Sequence, residues 1–287
     1  MSTKDFVKPA RSFGRTRPRP ARRLRATNRK SAVATSWDPL AEWYDGWMGQ
    51  EGSKHHQLVM PTVLELLAVE FGDTVLDLGC GQGVLAEPVV KAGGRYLGVD
   101  ASNTLIDIAW NRHNLGRSAN FIVGDVTKLD RLEDGDEGIA EASADAVVFL
   151  LSIQDIDPLE KAIASAVWAL KPGGRLVMLM THPAFRIPRQ SGWGFDEKRK
   201  MQYRRIDNYL SCNKIPLKEF PGDQKGVSFS FHRPLSVYFE AMTQNGLVID
   251  GLKELSTAEW VTNQTPRAQG RAAREIPLFL ALRARKQ

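Results

Sequence analysis

The chain has 287 residues, of which 43% are hydrophobic and 25% charged. This is globular composition, which excludes collagen, coiled coil and wholesale disorder, and at this length a core forms without staples. Two cysteines give no disulfide framework, and no run of about 18 apolar residues predicts a transmembrane helix. The start of the sequence lacks the apolar core of a secretory signal, so a reducing, cytoplasmic setting is expected. The net charge of +6 is unevenly spread: residues 1–36 hold eleven Lys and Arg and one acid, Asp5, while the rest holds 28 bases and 32 acids.

Residues 1–36 offer few apolar side chains (among them Phe6, Val7, Phe13 and Leu24), and Pro9, Pro18 and Pro20 interrupt any helix. Such a segment reads as a disordered basic arm. A solvated tail competes with three roles for it: phosphate binding on RNA, attachment to an anionic membrane surface, and organelle import. From Trp37 the texture changes. Trp37, Leu40, Trp43, Tyr44 and Trp47 have helical spacing, and a second helix is predicted over 55–71 with Val59, Val63, Leu66 and Leu67 on one face.

Strand and helix signals then alternate. Strands are predicted at 74–78, 96–100, 119–123, 146–151 and 175–180, with helices at 84–92, 102–114 and 158–170. Five parallel strands with helical crossovers mean a doubly wound α/β sheet. Past residue 181 the pattern breaks into a Pro-, Arg- and aromatic-rich stretch with weak strand signals at 203–210 and 226–231. A helix at 234–245 and strands at 247–255 and 276–284 close the sequence.

The chemistry is concentrated in Val75-Leu76-Asp77-Leu78-Gly79-Cys80-Gly81-Gln82-Gly83, which joins a buried strand to a helix through a glycine turn. Glycines admit positive φ and close approach of a ligand, and the helix start offers free N–H donors. Asp100 ends the second strand 21 residues after Gly79, where an acid can accept both hydroxyls of a ribose. Asp125 follows the third strand, where an adenine amino group can be read. Asp77 is a poor neighbour for a pyrophosphate and a good one for a cationic amine. A dinucleotide oxidoreductase expects a further glycine where Val84 stands.

With Leu97-Gly98-Val99-Asp100-Ala101-Ser102, Gly124-Asp125-Val126, 145–151 and Leu170-Lys171-Pro172-Gly173-Gly174-Arg175-Leu176 in order, the chain resembles the class I S-adenosylmethionine-dependent methyltransferases. The resemblance implies a Rossmann-like, seven-stranded, doubly wound sheet, mostly parallel with an antiparallel C-terminal hairpin. It implies one domain over 37–287, with a substrate-cap insertion at about 183–232 after the arm at 1–36. For the cofactor, S-adenosyl-L-methionine, it implies that the backbone of Gly79–Gly83, Cys80 and Gly81 included, passes beneath it and that Asp77 organises its methionine amine. Asp100 would bind the ribose, Ala101 and Ser102 flank the adenine, Asp125 and Val126 hold its edge, and Leu150 and Leu151 border the sulfonium. Tyr44 and Asp45 stand where the family's N-terminal lid closes.

An in-line methyl transfer to a hydroxyl or carbon acid gains from a general base. His182, after the fifth strand, is the catalytic candidate; His232 and Asp155 are the others. His55 and His56 lack partners at metal-ligand spacing, so no metal is expected. No Asn-Pro-Pro-Tyr or Asp-Pro-Pro-Tyr segment follows the fourth strand. The insertion supplies Phe185, Trp193, Phe195, Tyr203, Tyr209, Phe220, Phe229 and Phe231, and this resembles the small-molecule branch, with aromatic or quinone-like acceptors. Two alternatives stay open: an RNA or protein methyltransferase docking through the arm, and an inactive cofactor-binding partner subunit.

Overall fold

In the computed structural model the described residues are Trp37, Asp38, Ala41, 54–132, 139–217 and 228–287. The predicted alternation is present. Helix α1 (Lys54–Leu67) precedes β1 (Thr74–Leu78), α2 (Ala86–Lys91), β2 (Arg95–Asp100), α3 (Asn103–Arg112) and β3 (Ala119–Val123). Then come β4 (Ala144–Leu150), α4 (Leu159–Ala169) and β5 (Leu170–Thr181). Strand β5 starts earlier than the predicted 175, because Leu170 already pairs with Ala144 across a bulge.

The central sheet has seven strands. After the two strand pairs of the insertion region and α5 (Leu235–Gln244), the chain returns to it through β10 (Leu247–Leu255) and β11 (Phe279–Lys286). Its order is β10-β11-β5-β4-β1-β2-β3. Strands β1 to β5 run parallel, and β11 pairs antiparallel with both β5 and β10. This is the Rossmann-like sheet with an antiparallel C-terminal hairpin that the sequence predicted. Alternation along the buried strands sends side chains to two cores. Leu76, Leu78 and Phe149 pack with Ile163, Ala166 and Tyr238 on one face. Val75, Ala146 and Val148 pack with Val63, Leu67, Val89 and Ile106 on the other. Helices therefore cover both faces, as a parallel sheet requires.

The direction of strand addition reverses between β1 and β4, since β2 and β3 add on one side and β5 on the other. A crevice opens at the carboxyl ends of strands at such a point. The glycine turn, Asp100 and the 151–157 turn all end strands there.

Within the insertion, β6 (Ser191–Asp196) pairs with β7 (Met201–Ile206), and β8 (Asn213–Pro216) with β9 (Phe229–His232). Strand β6 escaped the pattern reading because Gly192 and Gly194 break its alternation. Gly194 lies beneath the ring of Tyr203, where a Cβ would meet ring carbon at 2.4 Å. Helix α6 (Arg267–Glu275) was also missed. Its buried positions are Gly270 and Ala272, too small to register as an apolar stripe. The predicted helix around Trp43 and the arm at 1–36 lie outside the described residues. No described helix is long and apolar enough to cross a membrane.

Candidate active site

The crevice holds a cavity of about 270 Å³. Of the residues predicted to touch a cofactor, Asp77, Gly79, Cys80, Gly81, Asp100, Ala101, Asp125, Val126 and Leu150 line it. Ser102 does not. It is fully buried, where its Oγ accepts the Leu105 N–H at 3.2 Å as the N-cap of α3 and donates to Asp38 Oδ1 at 2.6 Å. Tyr44 lies outside the described residues.

The glycine turn is tied to β2 at several points. Gly79 and Cys80 donate to Val99 O, Gly81 N–H donates to Asp100 Oδ2 at 2.9 Å, and Ser102 N–H to Asp100 Oδ1 at 2.8 Å. Gly79 has φ +73°, and a Cβ there would meet Ser152 Cβ at 2.6 Å, so only glycine lets the turn lie this close to the 151–157 segment. Each oxygen of the Asp100 carboxylate keeps a further lone pair for a ligand hydroxyl. Burial raises the Asp100 pKa, with the Ser102 and Gly81 N–H groups opposing.

Asp77, near the end of β1, is only 1% exposed. The Tyr96 hydroxyl donates to its Oδ2 at 2.7 Å, while its buried Oδ1 has no partner. Burial pushes this carboxyl up to about 7, the Tyr96 hydrogen bond opposes, and the Asp100 charge adds to the rise. An unpaired carboxylate oxygen at a cavity wall asks for a cation. Burial also raises the Cys80 thiol well above its usual range, so Cys80 is a packed turn residue and no nucleophile at neutral pH.

Asp125 is held by Thr127 N–H at 3.0 Å, Thr127 Oγ1 at 2.6 Å and Lys128 Nζ at 2.7 Å. These partners keep its pKa below the usual carboxylate value although burial opposes them. Asp155 and Asp157 complete a set of five carboxylates around the cavity, and no Lys or Arg lines it among the described residues. The lining histidine, His56, is pushed below its usual pKa by burial and by His55, and is neutral at pH 7. The cavity is therefore suited to a cation and hostile to a pyrophosphate.

His182 is absent from this cavity. It is buried, its Nε2 lies 2.8 Å from Glu254 Oε1, and its Nδ1 accepts the Ala184 N–H at 3.2 Å. Both ring nitrogens are thus used in joining the end of β5 to β10, away from the cavity lining. Replacing His182 by Ala should cost about 1–2 kcal/mol of stability through lost packing and hydrogen bonds. Turnover should stay within about threefold; a hundredfold loss of kcat in the folded variant would restore it as a base. His232 is likewise engaged, with Nε2 2.8 Å from Tyr209 O.

Asp155 does reach the cavity. Burial pushes its carboxyl up to about 7, against hydrogen bonds from Ser230 and Gln154 and the charge of Arg233. The sequence offered Asp155 as a lesser candidate, and the turn after β4 is what makes it face the crevice. Trp37, His56 and Ser152 also line the cavity without having been singled out as ligands. Only the glycine turn and the lid region carried a signal near them. None of the described insertion aromatics lines it: Trp193, Phe195 and Tyr203 are exposed, and the guanidiniums of Arg186 and Arg204 lie 5.3 and 5.2 Å from the Trp193 ring centre. Among the described residues no group of three or more His, Cys, Asp or Glu is placed to hold a metal ion.

The profile of the methyltransferase domain family matches residues 76–178, the segment that carries every strand end around the cavity. Residues 76–178 thus carry a methyltransferase domain. A demethylmenaquinone methyltransferase of Tropheryma whipplei is 30% identical to the chain over 120 residues, 42% of this chain and 46% of that one. A 2-phytyl-1,4-naphtoquinone methyltransferase of Synechococcus elongatus is 29% identical over 154 residues, 53% of this chain and 64% of that one. The chain thus spans about half to two thirds of the length of these relatives. The crystal structure of an S-adenosylmethionine-dependent methyltransferase from Mesorhizobium loti has the same fold as this methyltransferase domain, with a TM-score of 0.62 and 24% identity over 80% of this chain and 98% of that one.

Proposed function

We propose that the protein transfers a methyl group from S-adenosylmethionine to a small-molecule acceptor. The observation that carries this reading is the unpartnered, buried Asp77 Oδ1 in a cavity ringed by five carboxylates and, among the described residues, by no Lys or Arg. The donor carries an ammonium and a sulfonium, and its methyl group is activated by that sulfonium. Asp77 accepts the ammonium, Asp100 the ribose hydroxyls, and Asp125 with Val126 the adenine edge. Ala101 packs on the adenine, and Leu150 and Leu151 border the sulfonium. Residues 37–287 form one domain in this reading, with 183–232 as its insertion and Tyr44 in the lid.

On the acceptor side, Asp155 takes the proton of the nucleophile. A carboxyl held near 7 by burial is half ionised at working pH, where a general base is most effective. The relatives named as quinone methyltransferases support a small acceptor. The test is release of S-adenosylhomocysteine from quinols, phenols and N-heteroaromatics, by the full chain and by a chain lacking residues 1–36. Small-molecule turnover should survive the deletion within about twofold. Turnover that needs RNA or protein, and that falls with the arm and with salt, would overturn the reading.

A further inference from the structure

A second, smaller cavity of about 20 Å³ is walled by Gln154, Arg186, Ser230, His232, Arg233 and Tyr238, among others. It shares a wall with the main one, because Asp155, which lines the main cavity, is hydrogen-bonded by Ser230 and by Gln154 at 3.4 Å. Three buried polar atoms of this wall have no partner: Arg186 Nε, Arg233 Nη1 and Gln154 Oε1. Arg233 is only 6% exposed. Its Nη2 donates to Ile156 O at 2.9 Å and to Asp157 Oδ1 at 2.8 Å, which leaves Nη1 over. Arg186 has no carboxylate partner among the described residues, and burial, joined by the like charge of Arg204 beside it, lowers its pKa to about 10.

Buried N–H groups of native proteins are almost always paired, and cations taken out of water are expensive unless an anion compensates them. Here two guanidiniums face one cavity: Arg233 has half-exposed Asp157 at 2.8 Å and the Asp155 carboxyl nearby, whereas Arg186 has a like charge beside it and no acid among the described residues. A bound oxyanion supplies the missing acceptor and charge. The space decides its kind: a water needs roughly 10–15 Å³ of this measure, so there is room for about two oxygens. That suits a planar carboxylate better than a tetrahedral phosphate with four.

We propose that the cavity between Arg186 and Arg233 binds the carboxylate of the methyl acceptor, which is therefore an acidic small molecule. Gln154 Oε1 accepts from a hydroxyl or N–H next to that carboxylate, and the nucleophile lies beyond it, beside Asp155. This assignment of the acceptor rests on reading the main cavity as the methyl-donor site. The anion site itself does not, so the two are separable by experiment.

The probes are sodium acetate and inorganic phosphate, compared with chloride at equal ionic strength, in thermal unfolding of the full chain and of Arg186→Gln. Acetate should raise the Tm of the wild type saturably, and its apparent affinity should fall at least tenfold in the variant. Phosphate should act alike on both proteins. Arg186→Lys keeps the charge and serves if the Gln variant does not fold; it too should weaken acetate binding. An equal acetate response in wild type and variant, or no saturable response, would overturn the proposal. So would a phosphate response that only the wild type shows. S-adenosylmethionine titrated into the same proteins should bind both equally; failure to bind either would remove the donor reading while leaving the acetate result to stand.

Discussion

Replacing Asp155 by Asn should lower kcat by about 10²–10⁴-fold, the usual contribution of a positioned general base, while S-adenosylmethionine affinity stays within about twofold. Asn keeps the size of the side chain and its place in the turn after β4, so proton acceptance is the property removed. The wild-type rate should rise with pH through about 7, as burial sets the carboxyl there, and this rise should disappear in the variant. Stability follows with the opposite sign. A carboxyl whose folded pKa lies above its unfolded value contributes stability that is fully present below about 4 and lost as pH rises through about 7. The variant should therefore lose less stability than the wild type between pH 5 and pH 8. A variant that retains wild-type kcat would show that the acceptor needs no base.

The second large effect belongs to Asp77. Asp77→Asn should weaken S-adenosylmethionine binding by about 10–150-fold, which corresponds to the roughly 1.5–3 kcal/mol of a hydrogen bond to a charged group. The folded protein should not suffer: at pH 8 its Tm should equal or exceed that of the wild type. A buried carboxylate with one unpaired oxygen costs stability when ionised, and the amide still accepts from Tyr96. Binding of the ammonium should also pull the carboxyl pKa down from about 7. Below pH 7 the wild type then releases a proton on binding, and affinity rises with pH up to about 7. Calorimetry at pH 6 in two buffers of different ionisation enthalpy reads this directly. Proton release that persists in Asp77→Asn would assign it to another group.

Much of this site was legible in the sequence because backbone requirements leave residue-type traces. Positive φ at Gly79, Gly81 and Gly83 marks the turn, and strand ends place Asp77, Asp100 and Asp125 at one edge by period alone. The five parallel strands followed from alternation, the antiparallel pair that completes seven was implied by the resemblance, and the strand order came from the structure. What sequence order concealed was the direction in which short turns aim their side chains. His182 and Asp155 both follow a strand, yet the first turns toward Glu254 and the second toward the crevice. Ser102 stood in the motif and proved to be the cap of α3. Arginines 186 and 233 are 47 positions apart, so no local pattern could show that they share a cavity.

The most direct test of the whole account is calorimetric titration of the purified chain with S-adenosylmethionine and S-adenosylhomocysteine, with NAD as the control. The five carboxylates and the unpartnered Asp77 oxygen predict one-to-one micromolar binding of both sulfur nucleosides and no heat from the anionic dinucleotide. Folded protein that binds neither sulfur nucleoside, or that binds NAD as well as either, would contradict it.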